Sequence, residues 1–213
     1  AKMESAEIES ILSLIGTYGK IPEEAWRGMR LSEARRLVKE WGVRVKGEPY
    51  YQIAIKWLEA QGWKDVREIL AIMSESAAKI VIAKIPPSSF GKMPSAEIAA
   101  VIRFLLGEQT ELEKVPQEAW AKLDLKDAKL LITQAFVQDS KKTPVVFIIE
   151  PWMKAHDKSH ASEPGAAWRD LEEMLMLAPQ SRRADIAASL WPLISRVAPG
   201  KDLLEMLSPL AQS

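Results

Sequence analysis

Apolar residues fall at helical spacing along most of the chain. Ile8, Ile11, Leu12 and Ile15 stand at i, i+3, i+4 and i+7, and Ile98, Val101, Ile102 and Leu105 repeat that spacing. This is the pattern of a helix with one buried face. Ser5 and Ser95 stand one turn upstream, the place for an N-cap. Pro22 and Pro116 suit the opening turn of a second helix, where a missing N–H costs nothing. A third helix, started by Ser32, carries Leu31, Ala34, Leu37, Val38 and Trp41; its counterpart starts at Asp124 and carries Ala128, Leu131 and Ile132. A fourth covers residues 50–58. Its counterpart, Val145-Val146-Phe147-Ile148-Ile149, is mostly β-branched with Pro151 close behind, and alone it reads equally well as a strand. Alignment with Tyr50-Tyr51-Gln52-Ile53-Ala54-Ile55 decides for helix. A fifth carries Val66, Ile69, Leu70 and Met73, matched by Leu171, Met174 and Leu175. The expected class is all-α.

These elements come in pairs because the chain is written twice. Lys2-Met3-Glu4-Ser5-Ala6-Glu7-Ile8 returns as Lys92-Met93-Pro94-Ser95-Ala96-Glu97-Ile98, and Ile21-Pro22-Glu23-Glu24-Ala25-Trp26 returns as Val115-Pro116-Gln117-Glu118-Ala119-Trp120. Trp57 is answered by Trp152, and Gly62-Trp63-Lys64-Asp65-Val66 by Ala167-Trp168-Arg169-Asp170-Leu171. The offset grows from 90 to 94, 95 and 105 residues, so order is kept and loops differ. The expected organisation is two tandem helical-bundle modules, residues 1–90 and 91–200, with 201–213 as a tail or the start of a further repeat. Pro86-Pro87-Ser88-Ser89 separates the copies, and Pro192 and Pro199-Gly200 punctuate the end of the second. Residues 156–166 are an insertion in copy two, rich in Ser, Pro, Gly and charge, and read as a mobile surface loop.

Composition narrows the function classes. Lysine plus arginine balance aspartate plus glutamate at 29 each, which is unlike a dedicated nucleic-acid coat or a polybasic membrane binder. Cysteine is absent, so disulfides, thiolate catalysis and cysteine-held metals are excluded. No apolar run approaches the ~20 residues of a membrane span, and no signal peptide is read. The chain opens inside a repeat motif, so the expectation is a piece of a longer protein.

The duplication sorts the candidate residues. Trp26 and Trp120, Trp57 and Trp152, and Trp63 and Trp168 recur, and each reads as module core. Trp41 aligns with Ala135, and Trp191 with no tryptophan; each is a local packing change or an exposed anchor for a partner. No Gly-rich phosphate loop or Gly-x-Ser-x-Gly elbow is present, so no catalytic or cofactor-binding residue is assigned and an enzyme is not expected. His156 and His160 stand four apart, as two metal ligands on one helix face would. Within the polar insertion they read instead as surface histidines, available to a partner. Arg27, Arg30, Arg35, Arg36, Lys39, Arg44 and Lys46 face only Glu33 and Glu40 in the same stretch. With Leu31-Ser32-Glu33-Ala34-Arg35-Arg36-Leu37-Val38-Lys39-Glu40-Trp41-Gly42-Val43 they resemble the first helix and turn of SAP-type DNA-binding modules, which hold phosphates through basic residues. Copy two carries Gln134-Ala135-Phe136 there, so the pattern is not repeated.

The order of motifs resembles a second family more fully. Pro22-Glu-Glu-Ala25-Trp26-Arg-Gly-Met29-Arg-Leu31 and Pro116-Gln-Glu-Ala119-Trp120-Ala-Lys-Leu123-Asp-Leu125 are similar to the Pro-x-x-Val-Phe-x-x-Leu-x-Leu segment of WY-domain and LWY-repeat RXLR effectors of oomycete plant pathogens. Ala34 and Ala128 follow, then the tryptophan helices of Trp57 and Trp152. Asp65-Val66-Arg67-Glu68-Ile69-Leu70 and Asp170-Leu171-Glu172-Glu173-Met174-Leu175 are similar to the family's Asp-x-x-Leu-x-x-Met-Leu segment. The chain departs from the family where Ala60 and Ala155 replace the tyrosine one turn after each tryptophan. The intervals Pro49 to Trp57 and Pro144 to Trp152 are longer than usual, and no Arg-x-Leu-Arg motif is present. The resemblance implies a non-enzymatic helical protein, secreted by a pathogen into plant cells, that binds host proteins and suppresses immunity. An intracellular helical scaffold is the remaining alternative.

Overall fold

In the computed structural model the described residues are Ser10, 21–44, 49–106, 108–138, 145–163 and 165–198. Among them the chain is entirely helical, with fifteen helices and no strand. It divides into two compact units, Ala1–Phe104 and Leu105–Ser213. The division therefore falls fourteen residues beyond the boundary at 90 that the repeat marks in sequence. The expected first helix of copy one (Ser5, Ile8, Ile11, Leu12 and Ile15) and residues 199–213 lie outside the described residues.

Unit 1 contains α1 (Glu23–Gly28), α2 (Leu31–Arg44), α3 (Pro49–Gln61), α4 (Val66–Leu70), α5 (Glu75–Ile82) and α6 (Pro87–Phe90), and it takes in all but the last residue of α7 (Ser95–Leu105). Pro22 is the N-cap of α1 rather than part of its first turn. Helix α2 begins at Leu31, one residue before the expected Ser32. Its entry is fixed by Glu33, whose Oε2 accepts the N–H of Arg30 at 2.9 Å, the acidic half of a capping box. Ala34, Leu37 and Val38 are fully buried on its inner face, and α2 and α1 both pack on α3. Helix α3 ends in a Schellman turn: Trp63 N–H reaches Leu58 O at 2.8 Å and Gly62 N–H reaches Glu59 O at 3.2 Å. Gly62 and Trp63 both take positive φ, 66° and 64°. A bulky residue there costs about 1–2 kcal/mol, offset by burial of the Trp63 ring. Ser74 Oγ accepts the N–H of Ala77 and caps α5, which buries Ala77, Ala78, Val81 and Ile82. Pro86-Pro87 leads into α6, a single turn that buries Phe90, instead of acting as a bare separator.

Helix α7 starts at Ser95 with Pro94 as the acceptor: Pro94 O takes the N–H of Glu97 at 3.1 Å and of Ile98 at 3.2 Å. The expected serine cap is thus one residue inside the helix. Ile98, Val101 and Ile102 are fully buried. The carboxylate of Glu97 accepts the N–H of Arg67, in the first turn of α4, at 2.6 Å.

Unit 2 contains α8 (Gln109–Leu112), α9 (Gln117–Lys122), α10 (Leu125–Gln138), α11 (Val146–Ala155), α12 (Asp157–His160), α13 (Ala166–Met176), α14 (Gln180–Ser189) and α15 (Trp191–Val197). Asp124 Oδ1 accepts the N–H of Asp127 at 2.8 Å and caps α10. Residues 146–149 of the mostly β-branched run are helical, with Val145 as the N-cap. Ile148, Ile149, Trp152 and Met153 are buried on one side of α11 despite Pro151, because burial at helical spacing outweighs intrinsic strand preference. Pro192 stands in the first turn of α15, so it opens a helix where an end was expected.

The same positions hold each unit together. Trp57 Nε1 donates to Met29 O at 3.0 Å, and Trp152 Nε1 donates to Leu123 O at 2.7 Å. Met29 and Leu123 end α1 and α9 with extended backbone, which leaves their carbonyls outside the helix ladder. Each indole thus satisfies a carbonyl that the helix end leaves free. Across the helices Arg35 pairs with Glu68 at 3.0 Å and Lys129 with Glu173 at 2.8 Å. All six recurring tryptophans are buried.

Candidate functional site

With the recurring tryptophans committed to the interior, the surface of interest is where the repeat breaks. Four large apolar side chains of unit 2 stand exposed: Leu130 at 50%, Val137 at 82%, Met176 at 59% and Trp191 at 44%. Leu130 and Val137 lie seven apart on α10 and share one face. Leu130 occupies the position of Arg36, Met176 that of Ala71 and Trp191 that of Pro86. Met176 sits at the end of α13, where its carbonyl accepts Arg183 Nη2 at 3.1 Å. Beside it the Arg182 guanidinium lies 6.0 Å from the Phe136 ring of α10. Arg182 and Arg183 of α14 thereby tie Phe136 of α10 to the end of α13. Trp41 differs from Trp191: it is half-buried on α2.

Residues 157–159, 161–163 and 165 of the insertion are exposed, as a surface segment was expected to be. Asp157–His160 form the one-turn helix α12. The His156 ring stacks on the buried Trp152 ring with centroids 4.0 Å apart and planes at 22°. Its Nδ1 lies 2.9 Å from Trp152 O. His160 packs against the same indole at 5.8 Å, and its Nε2 lies 3.0 Å from Asp170 Oδ2. The His160 side chain is only 8% exposed. Arg196 of α15 reaches Asp157 Oδ1 at 3.3 Å, and Arg169 pairs with Glu163. Ser159 and Ser162 bond backbone carbonyls within the insertion, while His160 Nδ1 is buried without a hydrogen-bond partner. His156 and His160 extend the tryptophan core outward instead of standing free on the surface. Among the described residues no group of three or more His, Asp or Glu side chains is placed to hold a metal.

Three basic residues of the stretch in unit 1 are paired. Arg27 pairs with Glu23, Arg35 with Glu68, and Arg36 with Glu40 at 3.7 Å. Helix α2 also runs through Gly42 to Arg44, so Trp41-Gly42-Val43 is not the turn that the SAP-like reading needs. The Tyr50 ring of α3 lies against Gly42, about 3.6 Å from where a β-carbon would stand. The sequence reading overlooked Glu97, the one buried charged residue among those described. Burial raises its pKa above the usual carboxylate range, opposed by the bond from Arg67 N–H and the Arg67 charge. Its counterpart Glu7, at the same place in the other copy, was the only available signal.

No protein-family model, curated protein or solved structure matches the chain. Among the described residues no helix is long and apolar enough to cross a membrane.

Proposed function

We propose that the chain is a pair of tandem homologous helical modules acting as a non-enzymatic effector, secreted by a pathogen and bound to a host plant protein through unit 2. The observation that supports this is the contrast between copies. Tryptophans, capping positions and the inter-helix ion pair recur, while Leu130, Met176 and Trp191 replace Arg36, Ala71 and Pro86 on exposed positions. A duplicated core with divergent exposed apolar residues is what a binding scaffold needs, since exposed apolar patches mark interaction sites and tryptophan is a frequent interface anchor. The secreted-effector part rests on the motif resemblance set out from the sequence.

Two experiments test the two parts. The full open reading frame of an effector carries a cleavable signal peptide followed by Arg-x-Leu-Arg; a start codon at Met3 with nothing upstream overturns that part. For the binding part, host-protein capture is compared between the native chain and the triple variant Leu130→Arg, Met176→Ala, Trp191→Ala. The binding reading holds if capture falls at least about tenfold with the fold intact, and fails if capture is unchanged. A salt titration with DNA and RNA separates the nucleic-acid alternative, which requires affinity that falls steeply with salt.

A further inference from the structure

The chain has two histidines, and each is pinned through one ring nitrogen. His160 N–H donates to His156 O at 3.0 Å, so the pair stands one helical turn apart and shares a face. The ring centroids lie 6.1 Å apart with planes at 38°. His156 Nδ1 lies 2.9 Å from Trp152 O. A carbonyl only accepts, so Nδ1 carries the proton and Nε2 the lone pair. His160 Nε2 lies 3.0 Å from Asp170 Oδ2. An ionised carboxylate also only accepts, which leaves the lone pair of His160 on Nδ1. That atom is buried without a hydrogen-bond partner, in a side chain only 8% exposed.

We propose that His156 Nε2 and His160 Nδ1 together bind a divalent transition-metal ion of the kind that prefers imidazole: zinc, nickel or copper. A metal-ligating histidine characteristically donates its other ring N–H to a carbonyl or a carboxylate. That bond fixes the tautomer and makes the ligating nitrogen more basic. Both rings have such a partner here, Trp152 O for one and Asp170 for the other. Rotation of the two rings brings both lone pairs onto one ion at ~2.0–2.1 Å. No third His, Asp or Glu among the described residues completes the set, so water holds the remaining positions. The nearest acid in sequence, Asp157, is engaged by Arg196. Unit 1 carries Gln61 at the position of His156, where it donates to Trp26 O and Arg27 O. It has no counterpart of His160, so the site belongs to unit 2 alone.

The test titrates zinc ion into the full chain, free of any affinity tag, with magnesium ion as the control. Imidazole proton resonances are followed by NMR; with two histidines in the chain, both rings report directly. Both sets of signals are expected to shift together and saturate at one equivalent of zinc, with no response to magnesium. By calorimetry, His156→Ala and His160→Ala should each weaken zinc binding by at least about tenfold, and Asp170→Asn by about tenfold. Circular dichroism establishes that each variant is folded, and the native ring signals decide alone where one is not. Ring signals that stay in place under a large excess of zinc, or movement of one ring only, overturn the proposal. Zinc affinity unchanged in either folded alanine variant overturns it too, by assigning the ion to surface carboxylates. Unchanged affinity in Asp170→Asn overturns His160 Nδ1 as the ligating atom.

Discussion

Units 1 and 2 use the same anchors in different backbone settings. Trp63 sits in a left-handed turn after α3, held by its N–H to Leu58 O, while the aligned Trp168 lies within α13. The segment that follows is a five-residue helix in unit 1 and the second half of an eleven-residue helix in unit 2. Both indoles are nonetheless buried. What is held constant is the ring's place in the core, because burying an aromatic contributes several times more than the local backbone term. The insertion in unit 2 adds two histidine rings over Trp152, where unit 1 has a bare turn. Charge differs as well: residues 1–104 hold sixteen basic and thirteen acidic side chains, and residues 105–213 hold thirteen and sixteen. The overall balance of zero hides two units of opposite sign.

The comparison breaks hardest at the tryptophans that it treats as equivalent. Trp57→Ala and Trp152→Ala should each cost about 3–5 kcal/mol, read by denaturant unfolding with exchange assigned to each unit. A loss confined to one of the two would end the equivalence. Phenylalanine at either site keeps the ring but strands Met29 O or Leu123 O, at about 1–3 kcal/mol. The turns come next. Gly62→Ala and Gly165→Ala each place a side chain at positive φ, 66° and 80°, with open space around it, so strain alone should cost about 1–2 kcal/mol in each unit.

Glu97 separates the units by pH. Its pKa is raised in the folded chain, so its contribution to stability is full below the unfolded value and is lost as pH rises through the folded one. Glu97→Gln keeps an acceptor for Arg67 N–H and removes the titration. The native melting temperature, relative to the variant, should therefore fall as pH rises from below the usual carboxylate range to above it. A pH-independent difference would deny the burial effect. The smallest stability effects belong to the surface: Leu130→Arg, Met176→Ala and Trp191→Pro, which write unit 1's residues into unit 2 at Leu130, Met176 and Trp191. The first two should stay within about 0.5 kcal/mol of native. Trp191→Pro precedes Pro192 and tests whether α15 keeps its first turn; a larger loss there would return Trp191 to a structural role.

Much of the fold was legible because helical burial repeats every 3.6 residues and the recurring motifs supplied a second reading of several elements. The ambiguous run 145–149 was resolved that way. Helices α5 and α14 were passed over although Ala77, Ala78, Val81 and Ile82 carry the helical pattern behind Ser74. Short turns such as α6, α8 and α12 were not legible, since a single turn holds too few apolar positions to show a period. The insertion was legible in part. Residues 157–159 and 161–163 are exposed as the polar composition implied, whereas only the fold sets His156 and His160 against Trp152 and Asp170.

The sequence by itself determined the helical class and the six core tryptophans, because those follow from spacing and side-chain size along the chain. Tertiary structure decided which carbonyls Trp57 and Trp152 satisfy, that residues 95–104 belong with unit 1, and which unmatched residues reach solvent. Those depend on what lies across the core from each residue, and hydrogen bonds and burial between distant segments leave no periodic mark in the chain.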